Sequence, residues 1–121
     1  MSVQTVAAVR ALVAEHPILA DVLSESVEDN CGEVLPHLIL ADVMRWLASH
    51  VESEQEVCIA IVRWLELEYE RGTSDVRDLI AVSGVEMIPD PGQPGSQLRT
   101  MLGPTLRSVD PWLPWGSERD R

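Results

Sequence analysis

The stretch from Ser53 to Gly72 constrains this chain more than any other. Val57, Cys58, Ile61, Val62, Trp64 and Leu65 cover most of a helical circumference there, leaving a narrow polar strip of Glu56, Arg63, Glu66 and Glu70. A helix apolar on so many sides is stable only when neighbours pack against several of its faces. The rest of the chain must therefore supply those neighbours. Ser53-Glu54-Gln55-Glu56 reads as a capping box at the helix start, and Gly72 suits a left-handed stop at its end.

The flanking sequence has the same 3.6-residue period and shows no strand alternation. Val6, Val9, Leu12 and Val13 form the stripe of a first helix, Ser2 to Glu15, which Pro17 ends because the residue before a proline avoids helical geometry. Pro17 then opens a second helix to about Ser26. After a turn at residues 28–32, a third helix runs from Glu33 to His50, with Pro36, Ile39, Leu40, Val43 and Leu47 on one side and Asp42, Arg45 and Ser49 on the other. Thr73 or Ser74 caps a fifth helix, Asp75 to about Met87. The Pro/Gly loop 89–95 holds neither helix nor strand, and a last helix from Ser96 to about Val109 is open to interruption at Gly103-Pro104. The expected architecture is all-α: one bundle of five to six helices over residues 1–110, and a tail from 111 to 121.

Size supports a single core, since 121 residues of which 45% are apolar suffice for one. Cys31 and Cys58 lie far apart with no zinc-type pair beside them. Arg45 and Arg63 interrupt the apolar stretches too early for a membrane span, and Met1-Ser2-Val3-Gln4 lacks a secretory pattern. A cytoplasmic protein with free thiols is expected.

Charge narrows the partners. Residues 1–90 carry 17 Asp/Glu against 5 Arg, residues 91–121 carry 3 against 4, and the chain has no lysine. Such a field repels nucleic acid and anionic lipid and accelerates encounter with basic proteins.

Motifs for chemistry are sparse. Glu33 and His37, four apart, have the best metal-like spacing, but no third ligand accompanies them, and His37 is expected as a histidine at the edge of the core face. His16 and His50 sit at helix ends, where a cation suits the terminal carbonyls. No glycine-flanked serine, phosphate-cradling loop or Cys/His pair appears. Glu52, Glu54 and Glu56 fit a helix start, whereas Glu66, Glu68 and Glu70 sit where the dipole disfavours them. Glu68 falls on the core side by helical phase and needs a cation there, Arg77 or Arg45. Trp112-Leu113-Pro114-Trp115 either folds over a groove or docks on a partner.

Gly32-Glu33-Val34-Leu35-Pro36-His37-Leu38-Ile39-Leu40-Ala41-Asp42 with Arg45-Trp46, then Val76-Arg77-Asp78-Leu79-Ile80-Ala81-Val82-Ser83 and Leu102-Gly103-Pro104, resemble a small bacterial family of unknown function. That family is all-helical and immunity-protein-like, related to inhibitors carried beside secreted polymorphic toxins. The resemblance spans roughly residues 28–110. It departs from the family at Gly84 and Met87, where an aromatic and an asparagine stand in the pattern. It implies a binding protein and transfers no catalytic residue.

The expected function is an immunity or antitoxin-type inhibitor that neutralises a basic toxin domain, with no enzymatic activity, cofactor or metal of its own. Its expected contact residues are Leu38, Asp42 and Arg45 on the third helix with Glu66 and Glu70 on the fourth. The alternative is a helical interaction module, dimerising through Trp112 and Trp115.

Overall fold

A computed structural model describes residues 2–112, and all regular structure in that range is helical. Among these residues there are six α-helices, α1 (Val3–Glu15), α2 (Ala20–Asp29), α3 (Pro36–His50), α4 (Gln55–Arg71), α5 (Ser74–Ser83) and α6 (Pro104–Arg107), with one 3-10 turn between α1 and α2 (Pro17–Leu19) and two between α5 and α6 (Val85–Met87 and Ser96–Met101).

Local chemistry explains most boundaries. The Ser2 hydroxyl accepts from the Thr5 amide at 3.1 Å while the Thr5 hydroxyl accepts from the Ser2 amide at 3.2 Å, a reciprocal cap of α1. Thr73 caps α5 through the Val76 amide. The capping box expected at Ser53 is not made: Glu54 precedes α4 and no side chain caps that end. Gly72 ends α4 in extended rather than left-handed backbone. The guanidinium of Arg77 satisfies carbonyls of the last turn, donating to those of Tyr69 and Glu70 at 3.1 and 3.2 Å. The third helix begins at Pro36, three residues later than its composition suggests, because Leu35 is extended. The expected fifth helix ends at Ser83 and passes into a 3-10 turn. The last one is split at Leu102-Gly103 into a 3-10 turn and α6.

The core is shared between α3 and α4 rather than centred on α4 alone. Ile39, Leu40, Val43, Met44 and Leu47 meet Cys58, Ile61, Val62 and Leu65, and α1, α2 and α5 close over them with Leu12, Leu19, Leu79 and Ile80. Each such Leu or Ile contributes about 1.5–3 kcal/mol of burial. Leu98, Leu102 and Leu106 bring the C-terminal third into the same core. The Pro/Gly loop reaches it at Gly95, whose φ of 89° lets the backbone lie on Ala48 so closely that a Cβ would sit 2.7 Å from the alanine's own.

A buried ion pair fixes the end of the domain. Arg99 bonds Asp110, with side-chain exposures of 7% and 0%, and its other Nη donates to the carbonyls of Ile88 and Pro89. Asp110 Oδ1 also accepts from the Trp112 amide at 2.9 Å, so the start of the tail is tied in cis. Trp115 lies outside the described residues.

Candidate partner-binding surface

Because Ile39, Leu40, Val43 and Leu47 face inward, α3 turns Leu38, Asp42, Arg45 and Ser49 outward, each three or four residues from the next. Leu38 is 50% exposed, an apolar side chain left half open by the described residues. Arg45 pairs with Asp42 across one turn, and both groups remain open to water (62% and 44% exposed). Such a pair contributes at most about 1 kcal/mol and exchanges readily for another partner. The structure thus brings Leu38, Asp42 and Arg45 together on one face.

Two open clefts flank this stripe. Leu35, His37 and Leu38 join Asp75 and Asp78 of α5 and the α1 N-terminus around a space of about 440 Å³. The His37 Nδ1 shares a 2.6 Å hydrogen bond with the hydroxyl of Ser83. His37 therefore pairs across to α5, not with Glu33, which precedes the helix and so loses the four-residue spacing. A serine–histidine contact is a nucleophile–base pair by residue type, but Ser83 is only 7% exposed and no carboxylate bonds the ring among the described residues. Its geometry serves to dock α3 on α5. Among the described residues no three His, Cys, Asp or Glu side chains are grouped to hold a metal ion.

A second cleft, about 360 Å³, opens between α2 and α3 beside Asp42 and Arg45. Trp46 and His50 form one wall, their rings stacked at 4.1 Å and 13°. The His50 Nδ1 donates to the Trp46 carbonyl at 2.7 Å, which fixes the imidazole in place. Glu25, Ser26 and Asp29 face them from α2. Ser26 is buried and its hydroxyl has no hydrogen-bond partner among the described residues. An unsatisfied buried hydroxyl costs about 1–3 kcal/mol.

The two glutamates expected to join Asp42 and Arg45 belong elsewhere. Glu66, expected on the water-facing strip of α4, is 8% exposed. Its Oε2 accepts from the Thr105 amide at 2.7 Å and its Oε1 from the Leu106 amide at 3.0 Å, so it caps α6 from below. Glu70 is exposed and accepts from the Thr105 hydroxyl at 2.8 Å. The reason is tertiary: residues 103–106 fold onto that face of α4. Glu68 pairs with Arg71, one turn on, rather than with Arg77 or Arg45. Arg77 is engaged at the α4 C-terminus and lies over the Tyr69 ring at 5.7 Å. Cys58 is a core thiol, pushed up from its usual pKa by burial, with Glu54 adding to the shift.

Sequence reasoning missed the α2–α3 cleft. Its only signal was Glu25 and Asp29, like charges four apart at the end of a helix, where mutual repulsion and the helix dipole both disfavour them.

The model of a domain of unknown function (DUF7674) matches residues 9–111, which takes in α2 to α6 whole and the second half of α1. No curated protein and no solved structure matches the chain.

Proposed function

This chain belongs to the DUF7674 family, and we propose that it is a non-enzymatic binding protein that captures a basic protein domain on the outward face of α3. The finer reading is an inhibitor of immunity or antitoxin type. The observation that carries the proposal is the stripe of Leu38, Asp42 and Arg45, set between two open clefts whose walls hold Asp75 and Asp78 on one side and Glu25 and Asp29 on the other. An exposed leucine ringed by carboxylates offers apolar contact at the centre and opposite charge at the rim, the usual division of labour in a specific interface. Glu66 takes no part in this reading, because α6 occupies both its oxygens, and Glu70 stands with it at α6.

The test is co-expression with a basic toxin domain, drawn from the neighbouring gene if that gene encodes one. The chain should restore growth, bind one to one by calorimetry, and lose affinity as salt rises. Leu38→Asp should weaken binding at least tenfold, and Asp42→Arg should slow association. Growth arrest that the chain leaves untouched, or a complex insensitive to salt, refutes the proposal.

The alternative of a homodimer has one observation in its favour, the 49% exposure of Trp112. Light scattering on the chain with and without residues 111–121 separates the two, since only the dimer dissociates on truncation.

A further inference from the structure

We infer that the α2–α3 cleft is a receptor for a single arginine side chain, presented by the basic partner and inserted between the Trp46–His50 wall and the carboxylates of α2. This rests on the reading of the α3 face as a binding surface and names the group that surface selects.

Three observations converge on a guanidinium. The first is charge without internal use. Glu25 and Asp29 are exposed, four apart on α2, and neither forms a salt bridge among the described residues. They stand in the last two turns of a helix whose carbonyl end repels them, so both local terms oppose their placement. Asp42 adds a third carboxylate, held among the described residues by the exchangeable contact of Arg45 alone. An incoming guanidinium can take over Asp42 while Arg45 swings into water.

The second is the hydroxyl of Ser26, buried at 4% exposure in the wall of this cleft and unpartnered among the described residues. Its oxygen is closed to water as it stands, and a turn of this short side chain toward the cleft makes it an acceptor for an incoming donor. The third is the aromatic wall. Trp46 is held flat against an imidazole whose Nδ1 is already committed to the Trp46 carbonyl. A planar cation gains more from a ring system of this kind than a compact ammonium does.

The arrangement also argues against other cations. The carboxylates are spread over two helices and do not converge as a metal set, which suits a ligand with several donors pointing in different directions. A guanidinium has five such donors in a rigid plane, enough for two carboxylates and a hydroxyl together.

The experiment follows the indole Nε1–H signals of the four tryptophans in the full chain, with the Trp46 signal identified through Trp46→Phe. The probe is acetyl-arginine amide, with acetyl-lysine amide and magnesium chloride as comparisons. The Trp46 signal should move saturably with a Kd on the order of millimolar for the arginine probe, and at least fivefold more weakly for the lysine probe. Glu25→Gln combined with Asp29→Asn should abolish the shift while leaving the melting temperature unchanged or raised, because like charges are relieved. Asp75→Asn combined with Asp78→Asn, in the other cleft, should leave the shift intact.

An unmoved Trp46 signal, an equal response in the Glu25/Asp29 variant, or equal affinity for lysine or magnesium overturns the inference. If the basic partner still binds in a salt-dependent manner while Trp46 ignores arginine, the receptor cleft fails and the α3 face stands. If arginine binds the cleft and no basic partner binds the chain, the receptor stands and the function proposed above fails.

Discussion

Replacing Glu66 by glutamine should destabilise this protein by about 2–4 kcal/mol, although the change is nearly isosteric. Both carboxylate oxygens accept backbone amides, Thr105 at 2.7 Å and Leu106 at 3.0 Å. Hydrogen bonds to a charged group contribute about 1.5–3 kcal/mol each. Glutamine keeps one oxygen, now neutral, and turns a donor NH2 toward the second amide. One bond weakens and the other becomes a donor–donor conflict in a site only 8% exposed. Gly103 offers an independent check. Its backbone is ordinarily extended (φ −80°, ψ −179°), so alanine costs nothing conformationally there. Yet an added Cβ would lie 2.6 Å from Glu66 Oε2 and 2.7 Å from its Cδ. Gly103→Ala should therefore cost about 1–3 kcal/mol in the wild type and close to nothing once Glu66 is alanine, a coupling that a double-mutant cycle isolates. Urea unfolding followed by tryptophan fluorescence measures both, as a fall in midpoint at constant slope; for a chain of this size the melting temperature drops by about 8–15 °C in Glu66→Gln. Glu70→Gln, at an exposed acceptor of one hydroxyl, should stay within about 0.5 kcal/mol. A Glu66→Gln variant no less stable than Glu70→Gln, or additive losses for Glu66→Ala and Gly103→Ala, would show that the cap is not what holds α6.

Cys31 holds a left-handed backbone (φ 56°) without being glycine. Cys31→Gly should gain about 0.5–1 kcal/mol in the same urea assay, the relief of strain exceeding the added freedom of the unfolded chain. Arg99→Met leaves Asp110 buried and unpaired and should cost about 3–5 kcal/mol, while Arg99→Met with Asp110→Leu should recover part of that loss. In intact protein at mildly alkaline pH, maleimide should label Cys31 alone, with a second adduct by mass spectrometry only in denaturant. Burial, and after it Glu54, raises the Cys58 thiol above 9.0. The folded state then keeps a proton that the unfolded chain releases, so this group's contribution to stability is full below pH 9 and declines as pH rises past it.

The helical frame was legible because its signals are local. Pro17, the Val57–Leu65 run, Thr73 and Gly103-Pro104 each act within a turn or two of themselves, and the outward face of α3 follows from the same periodicity. What sequence could not show depends on contacts far along the chain. Glu66 reads as surface on its own helix and becomes interior only because residue 105, 39 positions on, supplies amides to it. Arg99 and Asp110 sit in the nearly neutral C-terminal stretch and give no hint of pairing. Ser53 carries the right residues for a cap and is passed over, since Glu54 already occupies the capping position. The α2–α3 cleft joins residues about 20 apart whose only local trace is a mild electrostatic conflict.

The carboxylate of Glu66 also bears on how the protein comes into being. During synthesis α4 emerges well before the peptide groups of residues 105 and 106 that satisfy it, and Arg99 waits in turn for Asp110. A nascent chain halted before residue 103 therefore carries a buried-to-be anion with no amide to meet it, and the native state is reached only once translation has passed Asp110.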